Sequence, residues 1–405
     1  MTTPSPDGTR IGYAAGPTPE GSAPLAASGP GAHRRVSERG AIRAWVVTGV
    51  IAIGFLAAML AVSAYFHLAF GVQAAMLSVL VALVPLTIVI PTFIWLDRFE
   101  AEPTRYLIAA FLWGALVATI VSATLNTSAM VVLQASSTPS DASLVTAVVV
   151  APVVEEAAKG FFVVLVWWFL RREFDGFIDG MVYAGIVAAG FAFTENIQYL
   201  AQAWTDGGGE LFTATFVARC LLSPFAHPMF TVLIGVGIGV AATSRSGWVK
   251  LGAPLLGYVL AVLAHSLWNL AASASGEGMF AIYLLVEVPV FVAWVVLVIW
   301  ARRREGRLIG RFLRPYADAG WLSPAEVTML SSMGRRREAR AWARANAGRA
   351  GLRSMRQFQD IASDLAHLRR RMTVTPAHAR AVADERRLLT DLVDHRRRFV
   401  GGAII

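Results

Sequence analysis

Residues 145–170 read VTAVVVAPVVEEAAKGFFVVLVWWFL, and this stretch decides the fold. It is long and apolar enough to cross a membrane, since about 20 such residues in a helix cover about 30 Å of hydrocarbon. Yet it carries Glu155, Glu156 and Lys159 near its middle. An ionisable group at that depth costs about 2.5–3.5 kcal/mol on insertion scales, so it normally faces a partner or a wet cavity. Three more polar clusters interrupt other apolar runs: Glu195 with Asn196, His227, and His265 with Asn269. Four clusters on four runs imply one polar site inside the bilayer.

The rest of the chain fits that reading. Apolar residues make up 56% and charged residues 16%, and the mean hydropathy is +0.56. An ordinary soluble protein is excluded. Eight runs have spanning length: 44–66, 72–96, 106–133, 145–170, 177–200, 212–243, 251–272 and 279–301. The third and sixth exceed the need and are expected to tilt or continue past the bilayer. The fold class is therefore an all-α integral membrane protein. Three parts are expected: a disordered tail over 1–40, rich in Pro, Gly, Ser and Ala; a polytopic domain over 41–301; and a basic helical tail over 302–405. No cleavable signal peptide is evident. The single cysteine, Cys220, rules out an intramolecular disulfide.

Loop charge sets the expected orientation. His33–Arg43, Asp97–Arg105, Arg171–Asp179 and Ser244–Lys250 carry Arg or Lys, as does the tail from Arg302, whereas the alternate loops carry none. The positive-inside rule then places both termini in the cytoplasm. It also places all four polar clusters between the midplane and the outer leaflet, with Glu155 and Glu156 about 15 Å in at 1.5 Å per residue.

Helical spacing puts Lys159 on one face with Glu155 and Glu156. The bland account is a neutralising ion pair, which leaves the other three clusters unexplained. The sharper account gives the carboxylates general acid–base work. Asn269, one turn beyond His265, is placed to orient that imidazole or to donate to an oxyanion. Pro228 is expected to interrupt the helix beside His227. Gly235, Gly237 and Gly239 read as a small-residue packing face rather than a nucleotide loop. Glu287 reads as structural, and Arg219 as a partner for Glu195 or a substrate carbonyl.

These motifs resemble a known family. Glu155-Glu156-Ala-Ala-Lys159 matches EExxK, Phe191-Ala-Phe-Thr-Glu195-Asn196 matches FxxxEN, and His227 and the HxxxN pair His265–Asn269 follow in order. The chain resembles the PrsW intramembrane proteases, distant relatives of the CAAX-processing endopeptidases, over roughly residues 75–300. The segments Asp97-Arg-Phe-Glu100-Ala-Glu102-Pro103 and Asp175-Gly176-Phe-Ile-Asp179-Gly180 share the likeness.

The resemblance implies peptide-bond hydrolysis in a bacterial cytoplasmic membrane. Glu155 or Glu156 would activate water, and Glu195, His227 and His265 would complete the site, with Lys159, Asn196 and Asn269 in support. The implied substrate is a membrane-anchored protein, as in site-1 cleavage of anti-sigma factors. Two chemistries stay open: a zinc ion held through His227, His265 and Glu195, or a metal-free glutamate enzyme with His227, His265 and Asn269 at the oxyanion. With no HExxH present, the sequence leans to the second. The rival classes are a proton-coupled or ion transporter, whose internal repeat is not evident, and a non-catalytic scaffold.

The tail from Arg302 carries about 13 net positive charges. Apolar residues recur at helical spacing, as in Phe358, Ile361, Leu365 and Leu368. Three or four amphipathic helices are expected, the last starting near Thr375-Pro376. Basic helices of this kind are suited to anionic lipid at the cytoplasmic face. No nucleic-acid motif is present, and no nucleic-acid partner is expected.

Overall fold

The computed structural model describes residues 38–99, 101–170, 174, 176–273, 284–285, 288–374 and 379–400. Residues 1–37 of the expected tail, Glu100, Glu287 and Thr375-Pro376 lie outside them. All regular structure among the described residues is helical. They divide into two compact units, one up to Arg302 and one from Arg303 onward.

In the first unit, α1 (Glu38–Leu96) is broken at Gly71, whose φ of 79° is readily reached only by glycine. α2 (Thr104–Leu112) passes through a π-helical turn, Trp113–Ala118, into α3 (Thr119–Gln134). α4 (Pro139–Val145) starts on Thr138, whose Oγ1 accepts the Asp141 N–H. A second π turn, Thr146–Val150, leads into α5 (Ala151–Phe169). α6 (Phe177–Phe216) is broken at Gly207-Gly208 and ends in a third π turn, Val217–Leu222. α7 (Ala226–Ala242) and α8 (Gly247–Ser273) follow, and α9 (Val288–Asp318) contains the division between the units.

Four helical stretches are long and apolar enough to cross a membrane: Thr48–Leu96, Thr104–Gln134, Phe177–Ala242 and Gly247–Ser273. The sequence led us to expect eight crossings. Two of the four stretches are broken within, at Gly71 and at Gly207-Gly208. α5 falls outside the four because it bears Glu155, Glu156 and Lys159.

α6 is the axis of the membrane unit. Every residue from Phe177 to Phe191 is buried, as expected of a helix that is apolar all round. Around it pack Phe93 of α1, Ala110 of α2, Val163 of α5, Val232 and Ile238 of α7, Ala261 of α8 and Val298 of α9. Lipid tails are as apolar as these side chains, so close van der Waals approach must hold the helices together. The α6–α7 crossing shows how. A Cβ built on Gly180 would lie 2.0 Å from the Gly235 carbonyl oxygen, and one on Gly235 equally close to that of Gly180. The first arm of α1 differs. Its Ile51, Leu60 and Leu68 are exposed, and Phe66 alone between Thr48 and Phe70 is buried.

The second unit contains the end of α9, α10 (Pro324–Leu330), α11 (Met333–Val374) and α12 (Ala379–Val400). Ser323 and Glu326 form a reciprocal cap at the start of α10. α12 buries Leu389, Leu392 and Phe399, the last against Phe358 of α11. Phe358, Leu365 and Leu368 are buried, and Ile361 is half-buried. Arg396 clamps both Glu326 oxygens, at 2.7 and 2.9 Å.

Candidate active site

α5 brings the two glutamates into different surroundings. Glu156 is fully buried and saturated. Its Oε1 meets Lys159 Nζ at 2.6 Å and His265 Nδ1 at 3.0 Å, and its Oε2 accepts Thr231 Oγ1 at 2.8 Å. Glu155 is not saturated. Its Oε1 has one long bond, 3.3 Å from Asn126 Nδ2. Its Oε2 is buried without a hydrogen bond, with Lys159 Nζ at 3.9 Å and His265 Nε2 at 3.8 Å. Adjacent helix positions point about 100° apart, which is why neighbouring residues reach different partners.

The two histidines close the pocket from α7 and α8. Their rings meet edge to face, with centroids 5.2 Å apart, and His265 stacks on Phe230. His227 Nε2 lies 2.6 Å from Glu195 Oε2, and its Nδ1 lies 3.5 Å from Lys159 Nζ. Lys159 is fully buried, with its ammonium 4.3 Å above the Phe191 ring. Glu195 also takes Arg219 Nη2 at 2.5 Å, and Arg219 Nε donates to Asn196 Oδ1 at 3.0 Å. The Glu-Asn pair thus clamps one arginine on the third π turn, stacked over Tyr199. Side-chain exposure is 17% at Glu195 and 22% at Arg219 but 0% at Lys159 and Glu156. The mouth of the site is therefore on the Glu195–Arg219 side.

Some expected roles come out differently. Asn269 Nδ2 donates to the Ala147 carbonyl at 2.7 Å, in the π turn before α5, rather than to His265. A π turn frees carbonyls from the regular ladder, and the amide is spent there. Pro228 does not interrupt a running helix. It occupies the first turn of α7, where a missing N–H costs nothing, and the break lies earlier, at Ser223–Phe225. Arg219 does pair with Glu195. The sequence reading missed Asn126 and Thr231. It also missed Trp113 and Tyr258, which donate to the Ala158 and Val153 carbonyls and so pin α5. Asn126 was detectable as a lone amide within an apolar run. Thr231 was not, because threonine is common in such helices.

The residues present fit a metal ion. Glu155, His227 and His265 each offer a buried ligand atom, and these lie within 4.8 Å of one another. Zinc takes such oxygen and nitrogen donors at about 2.0–2.2 Å. The bare Oε2 of Glu155 is an acceptor lacking a donor. The contact of His265 Nδ1 with Glu156 orients that imidazole so that Nε2 can coordinate. Among the described residues, the group is centred on Glu155 rather than on Glu195, which is occupied by Arg219 and His227. The sequence leaned away from metal because HExxH is absent, but this donor set comes from three helices and leaves no local motif.

The fold and site together define a multi-pass membrane protein with a buried carboxylate–imidazole centre able to hold a metal. Residues 102–298, just under half of the chain, match the profile of the PrsW family of intramembrane metalloproteases. Two relatives are both called Protease PrsW. The Geobacillus kaustophilus protein is 31% identical over 148 residues, covering 36% of this chain and 58% of its own. The Oceanobacillus iheyensis protein is 29% identical over 129 residues, covering 32% of this chain and 53% of its own. The chain thus spans a little over half the length of these relatives. No solved structure matches it.

Proposed function

We propose that this protein is an intramembrane endopeptidase that cuts a membrane-anchored protein, as in site-1 cleavage of an anti-sigma factor. In this reading it crosses a bacterial cytoplasmic membrane eight times with both termini inside. The breaks at Gly71 and Gly207-Gly208 support that count, since each falls between two expected crossings. The basic second unit is read as a cytoplasmic module beside anionic lipid. Its apolar faces are packed within it, leaving most of its arginines outside.

One observation carries the catalytic reading: Glu155 Oε2 is the carboxylate oxygen left without a hydrogen bond in a buried site whose other acids are saturated. Glu155, His227 and His265 would hold the metal, which we take to be zinc. A zinc ion there would polarise the scissile carbonyl and make a bound water nucleophilic near neutral pH. Glu156 and Glu195 hold the two imidazoles in register. Glu155 Oε1, held only by the long Asn126 bond, takes the proton of the attacking water and returns it to the leaving amine. Arg219 at the mouth faces the developing oxyanion.

The test compares membrane and released peptides, by quantitative mass spectrometry, from cells carrying wild type or Glu155→Gln. A few single-span proteins truncated near the outer leaflet only with wild type are expected. Identical peptide populations under several stresses would sink the protease reading.

A further inference from the structure

Lys159 has no part in the chemistry above, yet it is fully buried in the site. Its Nζ lies 2.6 Å from Glu156 Oε1, 3.9 Å from Glu155 Oε2 and 3.5 Å from His227 Nδ1, and it caps the Phe191 ring at 4.3 Å. It therefore touches one residue that positions a ligand and approaches two of the three ligands themselves. A positioning group for Glu156 alone would not need those two approaches.

We propose that Lys159 is a resident counter-cation that competes with the metal for the Glu155–His227–His265 pocket and sets how tightly the metal is held. The inference rests on the metal reading above. Three carboxylates (Glu155, Glu156 and Glu195) face two fixed cations, Lys159 and Arg219. With neutral histidines the pocket carries one net negative charge, and a divalent ion reverses that sign. Without the ammonium, the same ion would bring the pocket to neutrality. Like charges a few ångströms apart in a weakly screened interior repel strongly. Lys159 therefore weakens metal binding while holding the metal-free site together.

Those two effects have opposite signs, which separates this role from a merely structural one. A purely structural lysine would, when removed, lower both stability and metal affinity. Lys159→Met, which keeps the chain length and removes the charge, is expected to lower the melting temperature of the metal-free protein. The same variant is expected to bind Zn²⁺ about ten- to a hundredfold more tightly, with a larger zinc-induced rise in melting temperature.

The full-length protein in detergent is stripped with a chelator and titrated with Zn²⁺ against a chromophoric competitor, alongside thermal unfolding. Lys159→Gln, which keeps a donor for Glu156, gives the same comparison if Lys159→Met does not fold. Tighter zinc in a folded variant supports the proposal. Equal or weaker zinc in a folded variant, with wild type binding normally, overturns the role of Lys159 alone. Wild type that binds no Zn²⁺ overturns the metal reading and the proposal with it.

Discussion

Among the described residues, each unit buries one Lys or Arg completely, and the two are housed differently. Arg336 of the second unit is 0% exposed, and its partners are mostly neutral: the Leu330 carbonyl, Ser363 Oγ and, through its own backbone oxygen, the Gln359 amide. Lys159 of the membrane unit is equally buried but lies among carboxylates and an imidazole, one of whose oxygens has no hydrogen bond. The first arrangement joins α10 to α11 and is complete. The second leaves bonding capacity unused in a buried site, where unused polarity is expensive. What separates the two buried cations is the carboxylate oxygen beside Lys159 that no hydrogen bond reaches.

Glu155 carries the largest expected effect. Glu155→Gln removes the carboxylate charge while keeping the shape, so on the proposed mechanism peptide release is expected to fall by about 10²–10⁴-fold, together with loss of bound zinc. Both are read on the same purified protein, by product formation and metal analysis. Full retention of either would mean that the bare oxygen is idle.

That oxygen is also where the sequence stopped being informative. The four polar clusters and their convergence on one buried site were legible because charge in an apolar run is rare and costly. The different fates of Glu155 and Glu156 were not. They depend on Thr231 and His265 reaching one glutamate and Asn126 the other, which is set by the crossing of α5 with three other helices. The small-residue face was legible from the spacing of Gly235 and Gly239, but not its counterpart Gly180, because glycines on α6 carry no signal of which helix they meet. The π turns described above were silent for the same reason. Nothing in Thr146–Val150 announces that Asn269 will claim the Ala147 carbonyl.

The structural cation should give a large but purely mechanical effect. Arg336→Met strands the Leu330 carbonyl and Ser363, and is expected to cost the second unit about 3 kcal/mol. Limited proteolysis of the full-length protein, following fragments from beyond Arg302, reads that loss. Zinc affinity serves as the control and should not move. In the membrane unit the matching mechanical probe is Gly235→Ala, whose methyl would press on the Gly180 carbonyl. The helices must part slightly, at about 1–3 kcal/mol, and thermal unfolding in detergent should show it. A neutral result would mean that α6 and α7 are not held by backbone contact.

The smallest effect concerns a buried acid just past the end of α1, which answers burial by staying neutral where the buried arginine stays charged. Asp97 is 4% exposed. Its Oδ2 accepts the Glu102 N–H at 2.8 Å, and its Oδ1 has no partner. Burial pushes its pKa up to about 8; the Glu102 N–H opposes this and the nearby Asp179 adds to it. Burial acts on Arg336 in the reverse sense, lowering it to about 9, so the arginine stays charged at neutral pH while the aspartic acid keeps its proton. Below about pH 4, Asp97 is protonated whether the chain is folded or not. As pH rises from there to about 8, the unfolded chain releases the proton and the folded one holds it, so stability falls. Above that window the dependence ends. Asp97→Asn keeps an acceptor for the Glu102 N–H and has no proton to lose. Its melting temperature should therefore decline less than that of wild type between pH 5 and pH 8. Parallel declines would mean that Asp97 ionises freely in the folded protein, and that its bare oxygen, unlike that of Glu155, is met by solvent.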